Sequence, residues 1–166
     1  MIRCILFDRD GTLGTLEDER YPATFSTFCD VEVVFEQLKS RGYYVGILSN
    51  QSSIARGTGR GYDFDGEFAS YGCDLWEICP HDTPDRCTCR KPESGMLLSA
   101  ASRLGIDPSE CVLVGDRLSD VLCAKNAGAE AILVLTGKGE AEREEVLSRF
   151  PNLTVLSRFD DVLKIY

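Results

Sequence analysis

Three short apolar runs, each breaking off at a polar cluster, constrain this chain more than any other feature. Residues 2–7 run into Asp8 and Asp10, residues 43–48 into Ser49, Asn50 and Gln51, and residues 111–114 into Gly115 and Asp116. Runs this short and this largely apolar fit strands buried on both faces, as in a parallel sheet. Residues 75–78, 131–135 and 153–156 extend the series. Between them, helical patterns cover residues 31–41 before Gly42, 94–104 before Gly105, 118–127 before Gly128, and an acidic stretch at 140–149. Strands alternating with helices predict an α/β fold: a mainly parallel sheet in a three-layer sandwich. In such sheets ligands bind beyond the carboxyl ends of the strands, where the polar clusters fall.

The chain has 166 residues, 43% of them hydrophobic, enough for one ordinary core, so a single domain spanning 1–166 is expected. No apolar run is long enough to cross a bilayer, and the start MIRCILFDRD has no secretory signal pattern; a cytoplasmic location is expected. A formal charge of −9 argues against broad attraction to nucleic acid or an anionic membrane. It leaves room for a small anionic substrate, because a divalent cation with a few Lys and Arg residues reverses the field inside one pocket.

FDRDGT places Asp8 and Asp10 just past the first strand, with Gly11 permitting a tight turn and Thr12 able to open the next segment. Two acids one residue apart can divide labour between nucleophile or metal ligand and proton carrier. Asp-x-Asp-Gly also serves ordinary turns and calcium loops. VGDRLSD brings Asp116 and Asp120 to another strand end, where each could cap a helix; Asp116 at the strand tip could also reach a metal, and for Asp120 capping is a full rival to metal contact.

CPHDTPDRCTCRKP, residues 79–92, holds three of the eight cysteines and the only histidine. Cys79, His81, Cys87 and Cys89 supply three thiolates and an imidazole, a complete tetrahedral set for structural Zn²⁺. In a reducing compartment this reading is favoured over free thiols or a reversible disulfide. Cys4, Cys111 and Cys123 sit in apolar contexts and read as core residues. Arg90 and Lys91 follow the last candidate ligand directly, so the metal would fix the base of a segment that carries cations toward the site.

Taken in order, Asp8-x-Asp10-Gly-Thr, Ser49, Lys91 and Gly115-Asp116 with Asp120 resemble the haloacid dehalogenase (HAD) superfamily of phosphotransferases along the whole chain. The resemblance implies a Rossmannoid fold in which Asp8 attacks phosphorus to form an aspartyl-phosphate, while Asp10 protonates the leaving oxygen and then activates water. Asp8, the backbone carbonyl of Asp10, and Asp116 would hold Mg²⁺. Ser49 would bind phosphoryl oxygens and Lys91 offset their charge.

The CPH and CxCRKP segments are similar to the zinc-containing phosphatases of D-glycero-D-manno-heptose 1,7-bisphosphate and of histidinol phosphate. SNQSSIARG, RKPESGM and LTGKGE resemble the heptose group, which implies a 7-phosphatase. On that resemblance Asn50, Gln51, Ser52, Ser53, Arg56, Arg90 and Arg117 would contact the substrate, with Arg56 and Arg90 suited to a second phosphate. Ser53 departs from the Gly usual in the heptose pattern, DGTLG from its DGVIN, and VGDRLSD leans toward histidinol phosphatases. Histidinol phosphate and, in an open site, a phosphorylated nucleic-acid 3' end are the alternative substrates. A noncatalytic zinc-stabilised binding domain is the alternative of another class. The interval 13–30 is too short for a cap domain, and 51–89 is mostly accounted for by a loop, a helix, a strand and the thiol-rich segment, so the pocket is expected to be largely uncapped. The expected protein is a monomer acting on a small phosphorylated metabolite, with no nucleic-acid or membrane partner.

Overall fold

The computed structural model describes residues 1–16 and 21–166. Six strands form one parallel sheet in the order β3-β2-β1-β4-β5-β6: β1 Cys4–Phe7, β2 Tyr44–Asn50, β3 Leu75–Cys79, β4 Cys111–Gly115, β5 Glu130–Val134 and β6 Thr154–Leu156. Every residue of β1 is inaccessible to solvent, and its side chains alternate between two cores. Cys4 and Leu6 face one core with Leu48, Leu97 and Leu113; Ile5 and Phe7 face the other with Phe35, Ile47 and Val114. That alternation is why the strand is apolar throughout.

Helices cover both faces. α1 (Val31–Ser40) is capped by Asp30, whose side chain accepts from Val33 N, and it buries Val34, Phe35 and Leu38. α4 (Gly95–Leu104) presents Met96, Leu97, Ala100 and Ala101 to the opposite core and ends at Gly105 with φ 64°, the left-handed cap that favours glycine. α5 (Leu118–Ala127) and α6 (Gly139–Arg149) complete that layer. Replacing Phe7 or Phe35 by Ala would cost about 3–5 kcal/mol, the usual range for emptying such a site.

The sequence reading placed the layers but missed local detail. β2 runs on through Ser49 and Asn50 because β3 pairs with them, Ser49 with Ile78 and Asn50 with Cys79. After it come a short helix, α2 (Ser52–Arg56), within a stretch whose sequence reads as a loop, and then α3 (Phe64–Ser70). The acidic run of α6 is not only a solvated face, since Glu142 accepts from Leu118 N at the start of α5, 2.6 Å away. Residues 13–16 and 21–28 fold back over the end of β1, with Thr15 N donating to Ser26 O and Phe28 N to Leu13 O. Among the described residues no inserted cap covers the strand ends. Among the described residues no helix is long and apolar enough to cross a membrane.

Candidate active site

β1, β2 and β4 lie side by side, so Asp8, Ser49 and Asp116 reach one edge of the sheet. Lys91 arrives from the segment before α4, and its Nζ lies 2.6 Å from Asp8 Oδ1, 2.7 Å from Asp120 Oδ1 and 2.9 Å from the Leu48 carbonyl. Asn50 pins its backbone from both sides, accepting from Lys91 N at 3.0 Å and donating to Lys91 O at 3.1 Å. The ammonium is buried, which pushes it toward neutrality, but Asp120 and Asp8 outweigh that and hold it charged above its ordinary range.

Asp8, Asp116 and Asp120 can bring carboxylate oxygens within 4.8 Å of one another. Burial comes first in raising their proton affinities, before the repulsion of neighbouring carboxylates: Asp116 rises to about 8 and Asp120, despite Lys91, to about 6. Asp8 is raised by burial against the pull of Lys91. Asp116 Oδ2 accepts from Lys138 N at 2.8 Å, and Thr12 Oγ1 donates to its Oδ1 at 3.3 Å. Gly137 at φ 57° makes this approach possible, for a Cβ there would stand 2.2 Å from Asp116 Oδ2 and 2.6 Å from Gly11 Cα. Asp120 combines both sequence-level readings: its Oδ2 accepts from Arg117 N at 3.0 Å, capping α5, while its Oδ1 faces Lys91.

The donor chemistry fits a hard divalent cation. Three buried carboxylates outnumber the single ammonium among them, and oxygen-rich anionic sites of this kind suit Mg²⁺. The Asp10 side chain stands outside that group. Its Oδ1 accepts from Arg9 Nη1 at 2.7 Å, and its Oδ2 accepts from Tyr21 Oη at 2.8 Å and Gln51 Nε2 at 2.9 Å. Only its backbone carbonyl was expected to reach a metal, so this placement leaves that expectation intact. Burial raises the Asp10 carboxyl above its ordinary range, opposed chiefly by Arg9. Ser49 Oγ accepts from Gln51 Nε2 at 2.8 Å.

Above this floor opens a cleft of about 260 Å³, with Asp8, Asp10, Lys91 and Asp120 at its base. Arg56, Arg90 and Arg117, which are exposed or half-buried, line its outer part, and the buried Ser52 and Ser53 line it as well. Arg90 Nη1 donates to Ser52 Oγ at 2.7 Å, and Arg56 forms a two-pronged pair with Asp82 at 2.8 and 2.9 Å. Ser53 belongs to α2 and has no positive φ, so the missing glycine introduces no backbone strain.

The Cys79, His81, Cys87 and Cys89 donors converge beside the cleft. Sγ of Cys89 lies 3.3 Å from Cys79 Sγ, 3.4 Å from Cys87 Sγ and 3.3 Å from His81 Nδ1, and Cys79 Sγ is 3.6 Å from both Cys87 Sγ and His81 Nδ1. A zinc tetrahedron with bonds of about 2.3 Å has edges of about 3.7 Å, close to these separations. Cys87 also accepts from Arg90 N at 3.4 Å.

Sequence reasoning missed Arg9, Tyr21 and Glu67. Arg9 lies between the two motif acids, where an arginine reads as a surface residue, yet it is fully buried. No local pattern marks this, because the fork partner of Arg9, Glu67, lies 58 residues away.

Comparisons with known proteins agree with this geometry. Residues 88–162 match the HAD-hydrolase-like family model. The chain is 36% identical to D-glycero-beta-D-manno-heptose-1,7-bisphosphate 7-phosphatase of Pasteurella multocida, covering 94% of this chain and 97% of that protein. It is 31% identical to the alpha-anomer 7-phosphatase of Campylobacter jejuni, covering 95% of each. Its fold superposes on the D,D-heptose 1,7-bisphosphate phosphatase of B. bronchiseptica, crystallised with magnesium and phosphate, with a TM-score of 0.83 and 27% identity over 99% of this chain and 97% of that one. The chain therefore belongs to the heptose-bisphosphate phosphatase family of HAD-like hydrolases.

Proposed function

We propose that this single-domain protein is a Mg²⁺-dependent phosphomonoesterase that removes the 7-phosphate of D-glycero-D-manno-heptose 1,7-bisphosphate. The observation that carries the proposal is the vertical order of charge in one cleft: buried carboxylates and Lys91 at the floor, three arginines at the rim. A floor of that kind suits chemistry on one phosphate, and the rim suits recognition of a second.

Asp8 supplies the nucleophile. Lys91 holds its Oδ1, which restrains the carboxylate and leaves the second oxygen to form the new bond to phosphorus. The P–O bond to the sugar breaks as Asp10 gives its proton to the departing alkoxide. Asp10 then takes a proton from water, whose oxygen attacks phosphorus and releases phosphate and the Asp8 carboxylate. Ser49 and the amides near it bind phosphoryl oxygens, and Lys91 balances their charge. Asp8, the Asp10 carbonyl and Asp116 would hold Mg²⁺, which would neutralise phosphoryl charge alongside Lys91. Asn50, Gln51, Ser52 and Ser53 line the path to the rim, where Arg56, Arg90 and Arg117 meet the distal phosphate. Cys79, His81, Cys87 and Cys89 would hold a structural Zn²⁺ that fixes the base of the Arg90-Lys91 segment.

Phosphate release should be measured from heptose 1,7-bisphosphate of both anomers, histidinol phosphate, hexose and glycerol phosphates and a 3'-phosphorylated oligonucleotide, with and without Mg²⁺. A heptose preference of at least about 100-fold in kcat/KM, about 2.7 kcal/mol of transition-state discrimination, is expected. A preference for histidinol phosphate would overturn the substrate while keeping the chemistry. No Mg²⁺-dependent release from any ester would overturn both and favour a zinc-stabilised binding domain.

Stability should also respond to Mg²⁺ and pH together. Without Mg²⁺, Asp116 and Asp120 bind protons more tightly in the folded chain, near 8 and 6, than in the unfolded chain. Their contribution is fully present below the unfolded value near 4 and is lost as pH rises through 6 and 8. The melting temperature of protein freed of Mg²⁺ but retaining its zinc is therefore expected to fall between about pH 5 and pH 8, and added Mg²⁺ to reverse most of the fall by replacing the protons. An equal Mg²⁺ effect at both pH values would count against cation binding at these carboxylates.

A further inference from the structure

Arg9 is fully buried, and its guanidinium has three sets of partners. Its Nε and Nη2 form a fork with Glu67 of α3 at 2.8 and 2.7 Å. Its Nη1 turns the other way, to Asp10 Oδ1 at 2.7 Å and Tyr21 Oη at 3.1 Å. Its plane lies against the Phe25 ring, with the guanidinium carbon 3.7 Å from the centroid, and Phe64 stands 5.3 Å away on the α3 side. Glu67 is held in turn by the hydroxyls of Tyr62 at 2.7 Å and Tyr71 at 3.1 Å.

A fork that is fixed at both prongs leaves the remaining nitrogen no rotational freedom, so the direction of Nη1, and with it Asp10 Oδ1, is set from α3. Stability alone does not call for such a pair, because a buried ion pair is often replaceable by well-packed apolar side chains at no loss. We propose that Glu67, acting through Arg9, is a positioning residue for Asp10, and that Tyr21 completes the same support on the other carboxylate oxygen. The inference rests on the reading of Asp10 as the proton donor to the leaving group. A misplaced donor slows departure of a sugar alkoxide, which needs the proton, and spares a nitrophenolate, which leaves without one.

The test is single-turnover cleavage of heptose bisphosphate and of p-nitrophenyl phosphate by wild type, Glu67→Gln, and the double variant Arg9→Met/Glu67→Leu, which removes the Arg9–Glu67 pair together and leaves Asp10 its hydrogen bonds from Tyr21 and Gln51. Both variants are expected to lose about tenfold or more on the sugar ester and less than about twofold on the nitrophenyl ester, with KM for each unchanged. Equal losses on the two esters, or none, overturn the inference while the phosphatase reading stands. Failure of the wild type on both esters removes that reading and the inference with it. If the double variant does not fold, Tyr21→Phe deletes one hydroxyl bonded to Asp10, unpairs no charge, and must show the same selective loss.

Discussion

Replacing Asp8 by Asn is expected to lower kcat by at least about 10⁴-fold on every phosphate ester while leaving the fold and the melting temperature intact. Removing a nucleophile that acts as part of a unit costs on this scale. The structure also says why the fold should survive. Lys91 keeps Asp120 at 2.7 Å and the Leu48 carbonyl at 2.9 Å, so the buried ammonium is not stranded when Asp8 loses its charge. Asp8 adds to the repulsion that raises Asp116, and a neutral amide relieves it. Circular dichroism and a melting curve beside the turnover assay check both halves. Residual activity above about one per cent of wild type would sink Asp8 as the nucleophile, since nothing else at the cleft floor is placed to replace it. A melting temperature lowered by tens of degrees would mean instead that Asp8 is a structural partner of Lys91.

The same contacts show what could be read without the structure. Strand ends were legible because a strand buried on both faces must be apolar throughout, so the first polar residue marks the edge where a ligand can sit: Asp8 after Phe7 and Asp116 after Gly115. The position of Lys91 followed from its place after the thiol-rich segment, but its partners did not. Asp120 could be given either of two duties from sequence, and in the structure its two oxygens divide between them. What stayed hidden were pairings between distant segments. Glu67 lies 58 residues from Arg9, on the short helix α3. Tyr21 comes from the fold-back after β1, and no local periodicity directs its hydroxyl to Asp10. Backbone fit was hidden as well: Gly137 matters because Asp116 Oδ2 lies 2.2 Å from where a Cβ would stand, a contact between the ends of the neighbouring strands β4 and β5.

Loss of zinc should separate substrate recognition from chemistry. In Cys87→Ser the site keeps three donors of four, and a structural zinc contributes about 10–16 kcal/mol of apparent binding free energy in small peptides, so even partial loss is large. The variant is expected to bind less than about one-tenth of the zinc of wild type and to melt roughly 10 °C or more lower, as a loss of a few kcal/mol implies for a chain of this size. Its effect on the cleft should be uneven. Arg90 follows Cys89 and is steered by contacts to Ser52 and the His81 carbonyl, while Arg56 is held by Asp82, the residue after His81. Both rim cations thus depend on the shape of the thiol-rich loop. Lys91 has anchors that do not, namely Asn50, Asp8, Asp120 and Leu48 O. The expected outcome is a rise of about tenfold or more in KM for a bisphosphate, with kcat on p-nitrophenyl phosphate within roughly threefold of wild type, because an ester with one phosphate uses the floor and not the rim. Equal collapse on both substrates would mean that zinc also sets Lys91. Zinc-free wild type, or melting and KM unchanged in a variant that has lost its zinc, would mean that the four donors order the loop without a metal, since each lies within hydrogen-bonding reach of its neighbours already.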